Sequence, residues 1–426
     1  MTTRVETLGN GLKVILRPIP GASALSTWVT YRIGSRNEIP GMTGSTHWVE
    51  HMLFKGGGKL KKGDIDRFVS RLGGKMNAFT DTDFTTYFTT LPASAMDTAL
   101  MIESERMRNA AFDPKEVEAE RTVVISEREG AENQPEFLVE EEIWGLAYQI
   151  HPYHWTPIGY RQDLQRFQRD PLYDHYLRHY APNNALLVMV GGFDLAVGMQ
   201  HVREHFASLR PEPPPAPMPL VEPEQHGERR SDLRRPGAAD LLSVAWHVPP
   251  FAHEDTPALI VLSTILGGWR GFMPFAAGEW RSRSNRLYRA LVATKLATDA
   301  VVRHEGKIDP GLLVANVTLA PKASLDRAEK FLDAEVARLR KAPPSKAEVD
   351  RAKGQVRSWY RYEHDGVTFQ GMLLSLLEVL ASWDAGDATV ARVERVTADE
   401  VREVARRYLL EDSRTVVRFH AQEVPS

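Results

Sequence analysis

At 426 residues the chain is too long for one ordinary core, and two domains are expected. A net charge of −3 with no long basic run argues against a nucleic-acid partner, and the 42% hydrophobic content includes no stretch long enough to span a membrane, so a soluble protein is expected. Cysteine is absent, which excludes disulfides and leaves only histidine and carboxylate as strong metal ligands. The start Met1-Thr2-Thr3-Arg4 has no apolar signal region; the compartment stays open, periplasm if a signal was removed and cytoplasm otherwise.

In chain order, Val5 to Pro18 reads as two short strands around Gly9-Asn10-Gly11, and Ala24 to Ile33 as a longer apolar strand. A loop from Gly34 to Gly44 leads into a helix over Thr46 to Phe54. Asp64 to Leu72 is a second helix closed by Gly73-Gly74. Lys75 to Leu91, rich in Phe, Thr and Tyr, predicts a hairpin turning at Asp81-Thr82-Asp83. Ser94 to Ala110 is helical, and Asp113-Pro114 opens a helix running to Glu129. Phe137 to Tyr148 is a further helix. His151 and His154 follow in a loop, where Pro152 breaks helical register, so they read as loop or substrate-cleft residues. Tyr173 to Tyr180 (helix), Asn184 to Gly191 (strand) and Asp194 to Leu209 (helix) complete the first half. The run Arg210 to Pro217 begins a proline-rich linker, assigned to residues 211–230, between domains 1–210 and 231–426.

The first helix carries chemistry in His47-Trp48-Val49-Glu50-His51. On a helix His47 and His51 lie one turn apart on one face, so their imidazoles can share a zinc ion. Glu50 can poise a carboxylate beside the water such an ion activates. This His-x-x-Glu-His order inverts the commoner zinc-protease order. The alternative is a solvated helix face. A second match, His201-Val202-Arg203-Glu204-His205, tests the motif's specificity. There Leu195, Met199, Val202, Phe206 and Leu209 recur at helical spacing and explain that helix as a core element, with the histidines on a surface face. A third ligand is needed for the first motif. On the Pro114 helix Glu120, Val123, Val124 and Glu127 share a stripe, and residue chemistry leaves both carboxylates open for the task.

The second half reads as a copy of the first. Leu241 to Val248 parallels the Ala24 strand, Thr256 to Leu266 the motif helix, Leu312 to Leu319 the Tyr87 strand, Ser345 to Arg361 the acidic helix and Thr415 to His420 the closing strand. Aligning Gly267-Gly268 with Gly56-Gly57 sets Ala258, Val261 and Leu262 where His47, Glu50 and His51 stand. A duplicated scaffold without metal residues in one copy predicts a structural half.

The chain resembles, over essentially its whole length, the M16 or pitrilysin (inverzincin) metallopeptidases, in the small bacterial and mitochondrial-processing-peptidase-like branch. The resemblance rests on His47-x-x-Glu50-His51, Asn77-Ala78-Phe79-Thr80, the segment Glu120 to Glu127, and Tyr180-Ala181-Pro182-Asn183-Asn184 before a strand. Glu127 follows His51 by 76 residues, the family's interval to its third ligand, whereas the same interval from His205 reaches Arg281. The resemblance implies one zinc per chain on His47, His51 and Glu127, with Glu50 activating water and Glu120 supporting the site from behind. It implies an α+β fold of two homologous domains, each a mainly antiparallel sheet with helices on one face. A peptide or unfolded polypeptide would add as a strand beside Asn77, Ala78, Phe79 and Thr80. The chain departs from the family at an Arg and a Tyr, seven residues apart in the second half, that hold substrate; these fall on Val292 and Asp299. A homologous partner chain supplying that pair is therefore expected, with this chain as the zinc-bearing subunit of a two-chain endopeptidase or oligopeptidase. The rivals are a non-catalytic scaffold or peptide-binding subunit of this fold, and a metal storage or sensor module.

Overall fold

A computed structural model describes residues 3–215, 220–268, 271–272 and 283–422. They form two compact units. In the first half the chain runs through β1 (Arg4–Thr7), β2 (Lys13–Pro18), β3 (Ala24–Tyr31), α1 (Ser45–Met52), α2 (Asp64–Arg71), β4 (Lys75–Thr80), β5 (Thr85–Pro92), α3 (Met96–Asn109) and α4 (Pro114–Glu132). There follow α5 (Pro135–Ala147), α6 (Arg161–Leu164), α7 (Arg169–His179), β6 (Ala185–Gly191) and α8 (Leu195–Phe206). The six strands pair in the order β1-β2-β6-β3-β5-β4, antiparallel except for β2 with β6, which puts β4 at an edge.

Strand β3 is buried along almost its entire length, because both faces of its sheet are covered. Its odd-numbered side chains, Leu25, Val29 and Tyr31, meet Trp48, Val49 and Met52 of α1 and Leu100 of α3 in one apolar core. Each such side chain contributes roughly 1.5–3 kcal/mol on burial. The stripe on α8 behaves as its periodicity predicts: Met199, Val202 and Phe206 enter this core.

The second half contributes β7 (Arg229–Pro236), β8 (Leu241–Val248), α9 (Thr256–Leu266), β9 (Ala297–His304), β10 (Gly311–Leu319), α10 (Leu325–Lys341), α11 (Lys346–Glu363), α12 (Val367–Leu380), α13 (Ala385–Val393), α14 (Ala398–Tyr408) and β11 (Arg414–Gln422). Its five strands pair as β7-β11-β8-β10-β9, with only β7 and β11 parallel. The expected α+β class and duplicated sheet-plus-helix plan are present. Every residue of α9 is buried, including Ala258, Val261 and Leu262, the apolar counterparts of the motif residues.

Each sheet carries one more covering helix than the expected one-faced arrangement. Val139, Ile143 and Trp144 of α5 pack on Leu241, Ala245, Val417 and Phe419 of the second sheet, on the face opposite that of α9. Similarly, α12 covers the second face of the first sheet. Its Gly371 lies so close to Trp28 that a Cβ would stand 2.4 Å from the indole, Thr368 hydrogen-bonds Thr90 at 2.9 Å, and Glu378 pairs with Lys13 and Arg32. The first unit is therefore Met1–Gly130, Trp155–Leu220 and His364–Val379, and the second is the remainder. The units cut across the sequence halves 1–210 and 231–426 at these two helices. Of the proline-rich segment, residues 211–215 and 220–226 have no regular element, β7 begins at Arg229, and residues 216–219, with part of that linker assignment, lie outside the described residues.

Candidate metal centre

Helix α1 is fixed at both ends by side chains from elsewhere in the first unit. Its N-cap, Gly44, has φ +87° and no side chain to offer the free N–H groups. Glu38 substitutes: its buried carboxylate accepts from the N–H of Gly44 and of Thr46, each at 2.7 Å, and from the Ser45 hydroxyl at 3.3 Å. Burial pushes the Glu38 carboxyl up to about 8, against the pull of those donors. At the other end Arg106 donates from Nε to the Leu53 carbonyl at 3.3 Å, pairs with buried Glu103 at 2.7 Å and lies over the rings of Phe54 and Tyr87. Sequence reading singled out neither Glu38 nor Arg106. A glycine where a capping side chain belongs was the available signal for Glu38.

Helix α4 is held beside α1 by Arg121. Its guanidinium donates to the carbonyls of Leu164 and Phe167, at 2.8 and 2.7 Å, and sits 5.3 Å from the centre of the Trp48 ring. Val117 and Val124 are buried, but Val123 is 49% exposed, so the inward stripe of α4 is narrower than the sequence suggested.

This packing brings together three groups the sequence had named. Nε2 of His47 and Nε2 of His51 are 3.3 Å apart, and Oε2 of Glu127 lies 3.8 and 3.4 Å from them. Ligands bound at about 2.0–2.2 Å in a tetrahedron stand about 3.3–3.6 Å from one another. Two sides of the triangle match that edge and the 3.8 Å side is slightly longer, so the group is close to the dimensions a zinc ion requires. The donor set fits too: two imidazoles and one carboxylate leave a fourth position open. Burial, then the neighbouring His51, lowers His47 to about 4, which keeps its imidazole neutral. Burial also works against a charged His51, yet hydrogen bonds to Glu120 and Glu127 outweigh it and hold that ring up to about 9.

Glu120 occupies a different place. Its Oε1 lies 2.8 Å from Nδ1 of His51, and its Oε2 is 2.5 Å from the Lys55 ammonium. By engaging Nδ1, Glu120 leaves Nε2 of His51, the nitrogen on the Glu127 side, as the one that could ligate an ion. The Glu120 side chain is 6% exposed and that of Glu127 49%. Nδ1 of His47 is buried and has no such partner among the described residues.

Glu50 is buried beside this cluster and accepts a 2.6 Å hydrogen bond from the Thr80 hydroxyl. Burial pushes its carboxyl up to about 7, with the Thr80 bond opposing the rise. Of the four residues expected to meet substrate, Thr80 thus touches Glu50, Asn77 is exposed, Ala78 points into the core and Phe79 packs edge-on against Phe84. All four lie on β4, whose outer edge is paired to no strand among the described residues.

His151 and His154 belong to the second unit; His151 is buried and meets Asp309 at 3.0 Å. Val292 packs on the second unit's core, and Asp299 lines a cavity of about 150 Å³ in that unit with Glu136, Trp144, Arg303 and Asn316. The second motif match is not a bare surface face: Asp97 of α3 reaches both His201 and His205.

A duplicated sheet-and-helix scaffold with a His-His-Glu cluster in one copy and an apolar helix in the other defines a class of metallopeptidase-like proteins. Residues 13–158 match the family model for insulinase (peptidase family M16), and residues 166–356 match that for the peptidase M16 inactive domain. A zinc protease PqqE of Helicobacter pylori is 31% identical over 353 residues, 82% of this chain and 77% of that protein. The mitochondrial-processing peptidase subunit beta of Lentinula edodes is 26% identical over 421 residues, covering 96% of this chain and 87% of that one. A solved structure of a Helicobacter pylori protease superposes with a TM-score of 0.91 at 27% identity, covering 98% of this chain and 99% of that one. The chain belongs to peptidase family M16. No helix among the described residues is long and apolar enough to cross a membrane.

Proposed function

We infer that this chain is a zinc-dependent endopeptidase or oligopeptidase, and that it is the zinc-bearing subunit of a two-chain enzyme. The observation that carries the reading is the approach of His47 Nε2, His51 Nε2 and Glu127 Oε2 to within 3.3–3.8 Å of one another beside the buried Glu50 carboxylate. His47, His51 and Glu127 would hold one zinc, and Glu120 would fix the His51 ring from behind. When bound, the ion supplies Lewis acidity to the scissile carbonyl and to the attacking water. Glu50 takes the water's proton on its carboxylate and delivers it to the leaving amine. Thr80 holds that carboxylate in place while the peptide backbone pairs with the open edge of β4 at Asn77 to Thr80. This edge recognition suits a peptide or unfolded polypeptide read mainly through its main chain.

Val292 and Asp299 supply neither the guanidinium nor the phenol that the family resemblance puts at those positions. A homologous partner chain would supply them, and one relative is itself named as a beta subunit. The same departure favours a second reading, a peptide-binding or scaffold subunit without turnover. Metal analysis of the purified chain, followed by assay of a fluorogenic oligopeptide library with and without its partner, separates the two. One zinc and partner-dependent cleavage support the peptidase; one zinc without cleavage in any mixture supports the scaffold.

A further inference from the structure

We propose that His201, His205 and Asp97 form a second metal site, for a divalent transition-metal ion of the zinc, nickel or cobalt type, that clamps α8 to α3. The site goes beyond the peptidase reading and does not depend on it. His201 and His205 lie one turn apart on α8, beside the stripe Met199, Val202 and Phe206 that the core absorbs. Asp97 comes from the first turn of α3, across 108 residues of chain from His205. One oxygen, Asp97 Oδ1, stands 2.8 Å from His205 Nε2 and 3.3 Å from His201 Nδ1. Ligand atoms about 2.0–2.1 Å from a common ion are separated by about 2.9 Å in an octahedron and about 3.3 Å in a tetrahedron. The two spacings lie within that range of ligand–ligand edges around transition-metal ions, and the three ligand atoms all lie within 4.8 Å of one another.

A hydrogen-bonded trio would share these distances, but one detail separates the two cases. His201 Nδ1 is buried yet makes no well-aligned hydrogen bond, even at 3.3 Å from the carboxylate. An enclosed ring nitrogen whose carboxylate neighbours are near but poorly aligned is under-satisfied, and a shared cation would satisfy it. A further carboxylate stands by, since Glu204 Oε2 is 3.6 Å from the same nitrogen while Glu204 Oε1 accepts from Gln200 Nε2 at 2.9 Å. The histidines also fall in the C-terminal half of α8, where the helix dipole favours positive charge. Partial exposure of all three side chains leaves coordination positions to water. Imidazole and carboxylate ligands select borderline transition metals over calcium or magnesium. An ion bound only by the folded chain raises its melting temperature by mass action.

The test uses the untagged full-length chain, stripped with chelator and titrated with cobalt(II) or nickel(II). Bound equivalents and melting temperature are both recorded. The wild type should bind two equivalents. His201→Gln with His205→Gln should bind one: glutamine keeps a donor for Asp97 but ligates metal poorly. That variant should melt at the wild-type temperature in chelator and lose part of the metal-induced rise. His47→Ala with His51→Ala should also keep one equivalent, which disappears when the two double changes are combined or when Asp97→Ala is added. Equal metal content in the wild type and the double-glutamine chain overturns the proposal, as does a drop in melting temperature that is the same with and without metal. Failure of the first centre reads out separately, as unchanged binding in His47→Ala with His51→Ala.

Discussion

Glu120 Oε1 lies 2.8 Å from Nδ1 of His51, the ring nitrogen directed away from the cluster that Glu127 joins. Two carboxylates seven residues apart on α4 thus engage opposite nitrogens of one imidazole. Removing them should have unequal effects. Glu127→Ala should abolish high-affinity zinc binding, whereas Glu120→Ala should leave three ligands and weaken zinc by about 10–100-fold, the usual cost of losing such a support. Competition against a calibrated chelator measures both. The reverse order of effects would mean that the roles are exchanged.

Glu50→Gln should retain zinc, since Glu50 is not among the three clustered ligand atoms. Its peptidase activity should fall by about 10²–10⁴-fold with loss of the base. A zinc-loaded glutamine variant turning over near the wild-type rate is the result that removes Glu50 from the mechanism.

The pH dependence follows from the Thr80 hydroxyl. Burial pushes Glu50 up to about 7, and the hydrogen bond from Thr80 favours the ionised form and works downward. A base acts only when ionised, so activity rises as pH passes through its pKa. Thr80→Val removes the donor, leaves only the nearby His51 charge to oppose burial and should move the acidic limb of kcat/KM to higher pH. A limb that stays still or moves to lower pH contradicts the assigned contact.

Glu38 should be tested on stability. Glu38→Gln leaves one of the N–H groups of Gly44 and Thr46 without its carboxylate acceptor, at a cost of about 1–3 kcal/mol in urea unfolding. The sign of the pH effect is also fixed. A carboxyl raised from 4.5 to about 8 on folding binds its proton more tightly in the native state, so this group makes stability decline as pH rises across that interval. The amide variant should show a flatter decline; an equally steep one would place the titration elsewhere.

The chain alone should bind zinc at His47, His51 and Glu127 yet cleave peptides poorly, because Val292 and Asp299 provide no donors to the developing oxyanion. Adding a homologous chain with Arg and Tyr at the matching positions should raise kcat/KM by about 10²–10³-fold or more, since one such donor carries about that factor. Full activity of the purified single chain, unchanged by any partner, would show that the clamp is complete without one.

What the sequence determined by itself was local and periodic. Helical spacing put His47 and His51 on one face of α1, and Glu120 and Glu127 on one face of α4, because residues four and seven apart repeat within two turns. Alternation and turn residues marked the strands, and loss of every polar group at Ala258, Val261 and Leu262 marked the second copy as structural. Tertiary packing decided the rest. The rotation of α4 against α1 directs Glu127 at the two Nε2 atoms and Glu120 at Nδ1, a difference that spacing on one helix cannot contain. The same holds for Asp97, which meets His205 only where α3 and α8 pack, and for Glu38, whose loop folds back onto the start of α1. An apolar helix face records that it must be buried but not against which surface, so only the folded chain reveals that α5 covers the second sheet and α12 the first.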